Sequence, residues 1–387
     1  VENRKRVHTL YVLTKLELGG AQKVCLSLLK GLQEKGIESS LISGPEGVLV
    51  SEAKKSSSVY LINSFRREVG FKSIFLEIKT FVCMILLMRK IKKNNSSLIV
   101  HTHSTKAGIF GRWAAFFAGV KKRVHTVHGF GFHKYQSKIG WVVNYIFEFL
   151  ASFVTTHYVC VSDEDRKTGR RLIPNFLKKS SIIRAAVDWD RFYQPAILYK
   201  EKSNDEKQFI FGTVSCFKPQ KNLLDLLKAF KLFRDKLMNK QKENVLLQIV
   251  GDGILRKEIE QWIHENKMKE YINLLGWQSD VAPFLRNWNV FTMSSLWEGL
   301  PCAVVEARLS RLPVISYSIG GIPEVIKDGI NGFLVKPGNW KKFSERMGQL
   351  YNNYQLYSDM RQLQEDLSDF RDQSMIDNHI NLYNRII

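Results

Sequence analysis

Two successive series of short β-branched or apolar runs, alternating with longer amphipathic stretches, constrain this chain more than any other feature. Repeated β/α order implies parallel sheets covered by helices. The first series runs through strand HTLYVLT, a helix from about Ala21 to Lys35, a strand near residue 100, a helix over 105–118 and strand RVHTV. It pauses at KEKSNDEKQ, Lys200 to Gln208, a charged stretch without periodicity that reads as a linker. The second series follows with strand FIFGTVS, a helix from Leu223, strand VLLQIV, the turn GDG, a helix over 255–266, strands INLLG and NVFTMSS, a helix over 302–311 and strand PVISY. Beyond Gly338 the pattern is helical to the end. A length of 387 residues suits two domains. Two such sheets facing across a cleft would turn the C-terminal ends of their strands, and the helix N-termini that follow, toward a shared ligand.

Composition excludes several classes. Hydrophobic residues make up 44% of the chain, with 24 Phe and eight Trp, which is ample for cores and argues against disorder. The five cysteines, Cys25, Cys83, Cys160, Cys216 and Cys302, lie far apart, so neither a disulfide framework nor a zinc site is expected, and a reducing compartment is implied. The opening VENRKRVHTLYVLT has no apolar run followed by a cleavage site, so no secretory signal is read there. The longest unbroken apolar run, Phe81 to Met88, is eight residues, whereas a membrane span needs about 20.

Charge is distributed unevenly. Residues 1–200 hold 33 Lys and Arg against 14 Asp and Glu, while residues 201–387 hold 25 against 23. The first half is therefore strongly basic, a field that attracts nucleic acid or the anionic leaflet of a membrane. Segment 65–93 interleaves Phe, Ile, Leu and Met with Arg66, Arg67, Lys72, Lys79, Arg89, Lys90, Lys92 and Lys93. Two readings fit it: a membrane-interface helix, or a core helix with a solvated basic edge.

The strongest chemical signal is SSLWEGLPCAVVEARLSRLPVISY, Ser294 to Tyr317. A strand ends there at a loop holding Glu298, Gly299 and Leu300; Pro301 sits at the start of the next helix, and Glu306 follows about one and a half turns in. Such a helix N-terminus attracts a diphosphate, and a carboxylate at Glu306 is placed to accept two vicinal hydroxyls, as a ribose offers. Gly320 and Gly321 in GGIPEVIKDGINGFLV allow close backbone approach, and DGINGF reads as a tight structural turn. Gly19 and Gly20 follow the first strand, where backbone N–H groups can approach a phosphate. His101, His103, His125 and His133 fall on different elements without ligand spacing, so no metal is assigned.

These segments together resemble the retaining glycosyltransferases of family 4, over nearly the whole chain; Glu298 and Glu306 match that family's Glu, seven residues, Glu motif. The resemblance implies a GT-B fold: an acceptor-side Rossmann-like domain over 1–200, a nucleotide-sugar-binding one over 207–365, and a C-terminal helix, 366–387, packing back on the first. It implies Glu306 on the nucleotide ribose, Glu298 and His128 by the donor sugar, and the Gly19 loop on phosphate. In GTVSCFKPQKNLLDLL, Lys221 matches the family's diphosphate-binding Lys; Cys216 stands where the family has an Arg, and Lys218 is the candidate replacement. Gly276 to Val281 matches the segment that packs on the nucleotide base, without revealing which base. Asp188, Trp189 and Asp190 look like the metal-binding DxD of the other glycosyltransferase fold, but stand at a turn where this family has a structural acidic-aromatic pair.

The implied activity is transfer of a sugar, with retention and without metal or cofactor, from a nucleotide-diphosphate sugar, a UDP-sugar being the expectation. The implied acceptor is a lipid-linked sugar, in surface-polysaccharide synthesis at the inner face of the plasma membrane, with the protein cytoplasmic and peripheral. Two rivals remain: a nucleotide-sugar epimerase of the same architecture, and a non-enzymatic nucleic-acid binder using the basic half.

Overall fold

The computed structural model describes residues 7–66, 74–95, 97–195, 208–238 and 244–387. The reading of a linker at Lys200 to Gln208 falls, except for Gln208, outside them. The chain divides into two units, one of residues 1–187 with 368–387, the other of residues 188–367.

Unit 1 is built on a sheet of β1 (Val7–Leu13), β2 (Glu38–Ser43), β3 (Ser58–Leu61), β4 (Ser97–His103), β5 (Lys122–Val127), β6 (His157–Cys160) and β7 (Ser180–Ile182), in the order 3-2-1-4-5-6-7. All its pairings are parallel. Strand order reverses between β1 and β4, which pair with Leu10 opposite Val100. Leu10 to Leu13 are all buried, as expected of a strand covered on both faces.

The helices are α1 (Gly20–Glu34), α2 (Val50–Ser56), α3 (Ile74–Asn94), α4 (Thr105–Phe117), α5 (Lys138–Phe153) and α6 (Asp163–Leu172). α1 packs on α2 and on the C-terminal helix, Asp372–Ile386; α3, α4 and α5 pack in a row. Right-handed crossovers place these two groups on opposite faces of the sheet. Helix α3 covers most of the segment read as either core or interface, Arg67 and Lys72 lying outside the described residues; Thr80, Met84, Met88 and Ile91 are buried, and Lys79, Arg89, Lys90, Lys92 and Lys93 form an exposed basic edge.

Unit 1 also encloses a charge. Arg112 on α4 is fully buried and grips Glu148 of α5 bidentately, at 2.8 and 2.7 Å, while also donating to Thr155 Oγ1, Tyr158 Oη and the carbonyl of Gly108. Burial opposes the charge, and the carboxylate and Tyr158 restore it, leaving the guanidinium pKa raised.

Unit 2 repeats the plan with β8 (Phe209–Val214), β9 (Val245–Val250), β10 (Ile272–Leu274), β11 (Val290–Met293), β12 (Val314–Tyr317) and β13 (Gly332–Val335), in the order 10-9-8-11-12-13, again all parallel. Its helices are α7 (Trp189–Phe192), α8 (Leu223–Asp235), α9 (Arg256–Glu265), α10 (Ala282–Asn287), α11 (Cys302–Leu309), α12 (Ile322–Val325), α13 (Trp340–Asn352) and α14 (Tyr354–Gln362). The reversal of strand order lies between β8 and β11. Residues 188–195 belong to this unit because Gln194 N–H donates to Leu309 and Arg191 pairs with Asp280 at 2.8 Å. Asp188 accepts the Arg191 N–H at 3.3 Å and caps α7, which accounts for the first acidic residue of the DxD look-alike. DGINGF is the tight turn its sequence predicts: Asp328 accepts from Leu334 N–H and Asn331 from Lys327 N–H.

Removing one partner of a buried ion pair strands the other. Glu148→Ala is expected to cost about 3–5 kcal/mol in urea unfolding of the chain, and the apolar pair Arg112→Met with Glu148→Leu to recover most of it; equal losses in both variants would show that the pair holds no buried charge.

Candidate functional site

In a parallel sheet, the crevice beyond the strand ends at the point of order reversal is where ligands are held. In unit 2 that point is flanked by the loops after β8 and β11, and these loops are stitched to each other. Leu296 N–H donates to the Gln220 carbonyl at 2.8 Å, Gln220 Nε2 donates to the Trp297 carbonyl at 2.7 Å, and Ser294 Oγ donates to the carbonyls of Lys221 and Asn222 at 3.0 Å each. This backbone frame sets Lys221 Nζ on Glu298 Oε1 at 2.5 Å, with only 18% and 12% of the two side chains exposed.

Two charges 77 residues apart in sequence therefore form one half-buried pair. Lys218, at the turn before Lys221, is half-buried, and its ammonium makes no ion pair among the described residues. Cys216 is a half-buried free cysteine whose carbonyl accepts the Lys218 N–H at 2.8 Å.

Glycine shapes the floor of this region. Gly320 has φ of +50°, and a Cβ there would lie 2.1 Å from the Glu298 carbonyl oxygen. Its neighbour Gly321 donates its N–H to the Gly299 carbonyl at 2.6 Å, so the segment after β12 supports the backbone of the Glu298 loop. Gly299, Leu300 and Pro301 are buried beneath it, and Pro301 is the N-cap of α11, offering no side-chain acceptor to the helix N–H groups. Glu306, the fifth residue of α11, is half-buried rather than solvated.

At the neighbouring strand ends, Gly251 N–H donates to the Gly276 carbonyl at 2.8 Å. Gly276 itself has φ of +67° with open space where a Cβ would point. Val281 is the N-cap of α10 and half-buried.

In unit 1 the reversal lies between β1 and β4, and their following loops meet where Thr14 and Ser104 share a 3.0 Å hydroxyl contact. Gly19 is the N-cap of α1 and Gly20 its first residue; a side chain at Gly19 would run into Gln22. His128 follows β5, and its Nε2 shares a 3.0 Å hydrogen bond with Nδ1 of His103 at the end of β4.

Sequence alone assigns His103 no role; strand pairing places it at the end of β4, opposite Thr126 of β5 and so beside His128. Behind it, His101 bonds Tyr383 Oη at 2.6 Å and Thr126 Oγ1 at 2.7 Å, and Tyr383 bonds Tyr11 Oη at 2.6 Å. Burial holds His128 and His379 down at about 4, and holds His101, His103 and His125 well below the usual imidazole value, so the group is neutral at pH 7. Among the described residues, no group of three or more His, Cys, Asp or Glu has the geometry of a metal site.

Two all-parallel units with glycine-floored loops at their switch points are the fold of the GT-B glycosyltransferases. A structure of Anabaena Alr3699/HepE in complex with UDP-glucose superposes with a TM-score of 0.78 over 98% of this chain and 99% of that one, at 15% identity. A glycosyltransferase from Rickettsia africae gives 0.73 over 98% of both chains, at 19% identity.

The chain belongs to glycosyltransferase family 4: the family model of that description matches residues 18–191, and the model for glycosyl transferases group 1 matches 197–365. The UDP-Gal:alpha-D-GlcNAc-diphosphoundecaprenol alpha-1,3-galactosyltransferase of Escherichia coli is 33% identical over 325 residues, 82% of this chain and 81% of its own length. The capsular polysaccharide biosynthesis glycosyltransferase CapM of Staphylococcus aureus is 25% identical over 73% of this chain and 74% of its own. This protein is therefore a glycosyltransferase.

Two measurements test this geometry. Alanine at Gly320 forces a side chain into the left-handed region and against the Glu298 carbonyl, so Gly320→Ala is expected to cost at least about 1–2 kcal/mol in urea unfolding; an unchanged midpoint would show that the floor yields.

The histidines make unit 1 acid-sensitive. Their folded pKa values lie below the unfolded value of about 6.5, so their contribution is complete above that pH. It declines as pH falls toward 4, by up to about 1.4 kcal/mol per pH unit for each buried imidazole. Unfolding midpoints at pH 7.5 and 5 should differ by more than one histidine's worth; equal midpoints would mean the imidazoles are hydrated.

Proposed function

We propose that the chain transfers a glycosyl group from a UDP-sugar to a saccharide carried on a polyprenyl diphosphate, in surface-polysaccharide synthesis, with retention of anomeric configuration. The named E. coli relative acts on a UDP-sugar and a diphosphoundecaprenol-linked sugar, and the Anabaena neighbour was captured with UDP-glucose. The observation that carries the reading is the Lys221–Glu298 pair, set on the two loops at the unit 2 switch point and directly before α11.

In this proposal the N-terminus of α11 and Lys221 face the diphosphate, with Lys218 as a second cation in place of the missing arginine. Glu306 accepts the ribose hydroxyls, Glu298 orients the donor sugar, and Gly276 to Val281 pack on the base. Gly19 and Gly20 offer N–H groups of α1 to phosphate, and His128, kept neutral by burial, serves as a hydrogen-bonding group to the sugar.

The chemistry follows from charge. As the bond from C1 to the β-phosphate oxygen breaks, negative charge grows on the departing UDP, and fixed N–H groups and lysines stabilise it. The acceptor hydroxyl attacks C1 from the face UDP leaves; its proton passes to the departing phosphate oxygen, and the new C1–O bond retains configuration. No side chain bonds to the sugar, and cationic side chains take the place of a metal. Lys221 is held by Glu298 before the donor arrives, so its charge is already desolvated and positioned when the diphosphate enters.

A panel of nucleotide sugars read by thermal shift tests the donor: UDP-sugars should stabilise the protein and other nucleotide sugars should not. Glu306→Ala should abolish that shift, and Lys221→Ala should lower kcat about 10²–10³-fold. An inverted product from an α-linked donor, or stereochemically inverted UDP-sugar formed without acceptor, would refute transfer with retention.

A further inference from the structure

We infer that the outer face of the α3–α4–α5 layer of unit 1 is a docking surface for an anionic phospholipid bilayer, with α5 as the element that enters the interface. Helix α5 is apolar nearly all round and, unlike an ordinary surface helix, turns large apolar side chains outward. Its inward face carries Glu148, bound by Arg112, together with Ala151 and Ser152. Its outward face runs from Ile139 through Val143, Ile146, Phe147 and Leu150 to Phe153, at helical spacing, and every one of these side chains is exposed, Ile139 at 77% and Phe153 at 68%. The stripe continues on the neighbouring helices of the row, with Ile78, Val82 and Leu86 of α3 and Phe116 and Phe117 at the end of α4 also exposed. Large apolar side chains exposed on three successively packed helices mark an interaction site.

Charge identifies the occupant. Residues 74–154 contain twelve Lys and Arg and two acidic residues, Glu77 and Glu148. Neither carboxylate is available to a ligand: Glu77 pairs with Lys106 at 2.6 Å, and Glu148 is buried against Arg112. The exposed cations gather at the end of the apolar stripe, where Arg89 donates to the Phe117 carbonyl at 3.1 Å and Lys92 lies against Gly119. A face of this kind in contact with a second copy of itself would oppose two basic surfaces across the apolar stripe. An anionic bilayer satisfies both the stripe and its basic border. Among the described residues no helix is long and apolar enough to cross a membrane, so the contact proposed is interfacial. The proposed function supplies only the purpose, capture of a lipid-borne acceptor; the docking itself does not depend on it.

The test is sedimentation of the full chain with phosphatidylglycerol–phosphatidylcholine vesicles and with phosphatidylcholine alone, at low and high salt. Capture is expected on the anionic vesicles and should weaken with salt. The double variant Ile146→Gln with Phe147→Gln should bind at least about tenfold more weakly with no change in oligomeric state. Lys92→Gln and Lys93→Gln should each lose about fivefold, the equivalent of ~1 kcal/mol per basic residue near the surface. If the glutamine pair disturbs folding, Phe147→Trp reports directly, its emission shifting to the blue on addition of anionic vesicles.

Wild-type protein that stays in the supernatant, a glutamine variant captured as well as wild type, or a wild-type dimer dissolved by those substitutions would each overturn the inference. Capture of a protein that no nucleotide sugar stabilises would retain this surface and remove the proposed function; stabilisation without capture would do the reverse.

Discussion

Parallel strand pairing is the constraint on which the rest of this chain depends. Every strand of a parallel sheet ends on the same edge, and each crossover must return through a helix, so loops and helix N-termini accumulate at one rim. Where strand order reverses, two neighbouring loops diverge and leave a crevice. Both units contain this arrangement, between β1 and β4 and between β8 and β11. The reversals bring Thr14 beside Ser104 and Lys221 beside Glu298, and the neighbouring β4–β5 pairing brings His103 beside His128.

In the proposed function the Lys221–Glu298 pair readies this rim for a diphosphate. A lone half-buried lysine is penalised by desolvation, and a lone half-buried glutamate equally so; paired, each fixes the other. Two loops joined by backbone hydrogen bonds set their spacing, and the glycines at 320 and 321 let a third loop press against the glutamate's backbone. In the proposed reaction, positioning of this kind lowers the reorganisation needed as charge develops on the departing diphosphate. Unit 1 presents a different electrostatic character. Its histidines are buried among tyrosines and threonines and stay neutral, which suits hydrogen bonding to hydroxyls rather than charge neutralisation.

Much of this was legible in the chain itself. The strands HTLYVLT, FIFGTVS and VLLQIV stand within a residue or two of their expected places because β-branched runs bounded by polar turns have few alternatives. The same holds for the helix after Pro301. The family and the transfer of a sugar were legible through the EGLP and GGIPEVI segments, which the family match bears out. Helix α5 was not recognised as an element with an outward apolar face. Its sequence, KIGWVVNYIFEFLASF, is apolar nearly all round, and such a run reads as an ordinary buried helix until its neighbours are known. Only the packing of Glu148 onto Arg112 reveals which side faces inward.

The sequence by itself determined the two series of β/α units and the glycine positions at their loops, because periodicity and turn chemistry act over a few residues. Tertiary structure alone decided which side chains meet. Lys221 and Glu298, His103 and His128, and Arg112 and Glu148 are separated by 77, 25 and 36 residues, and each pair meets only because strand pairing or helix packing places its elements together. Contact between distant residues is a property of the sheet's order and register, which local sequence does not encode.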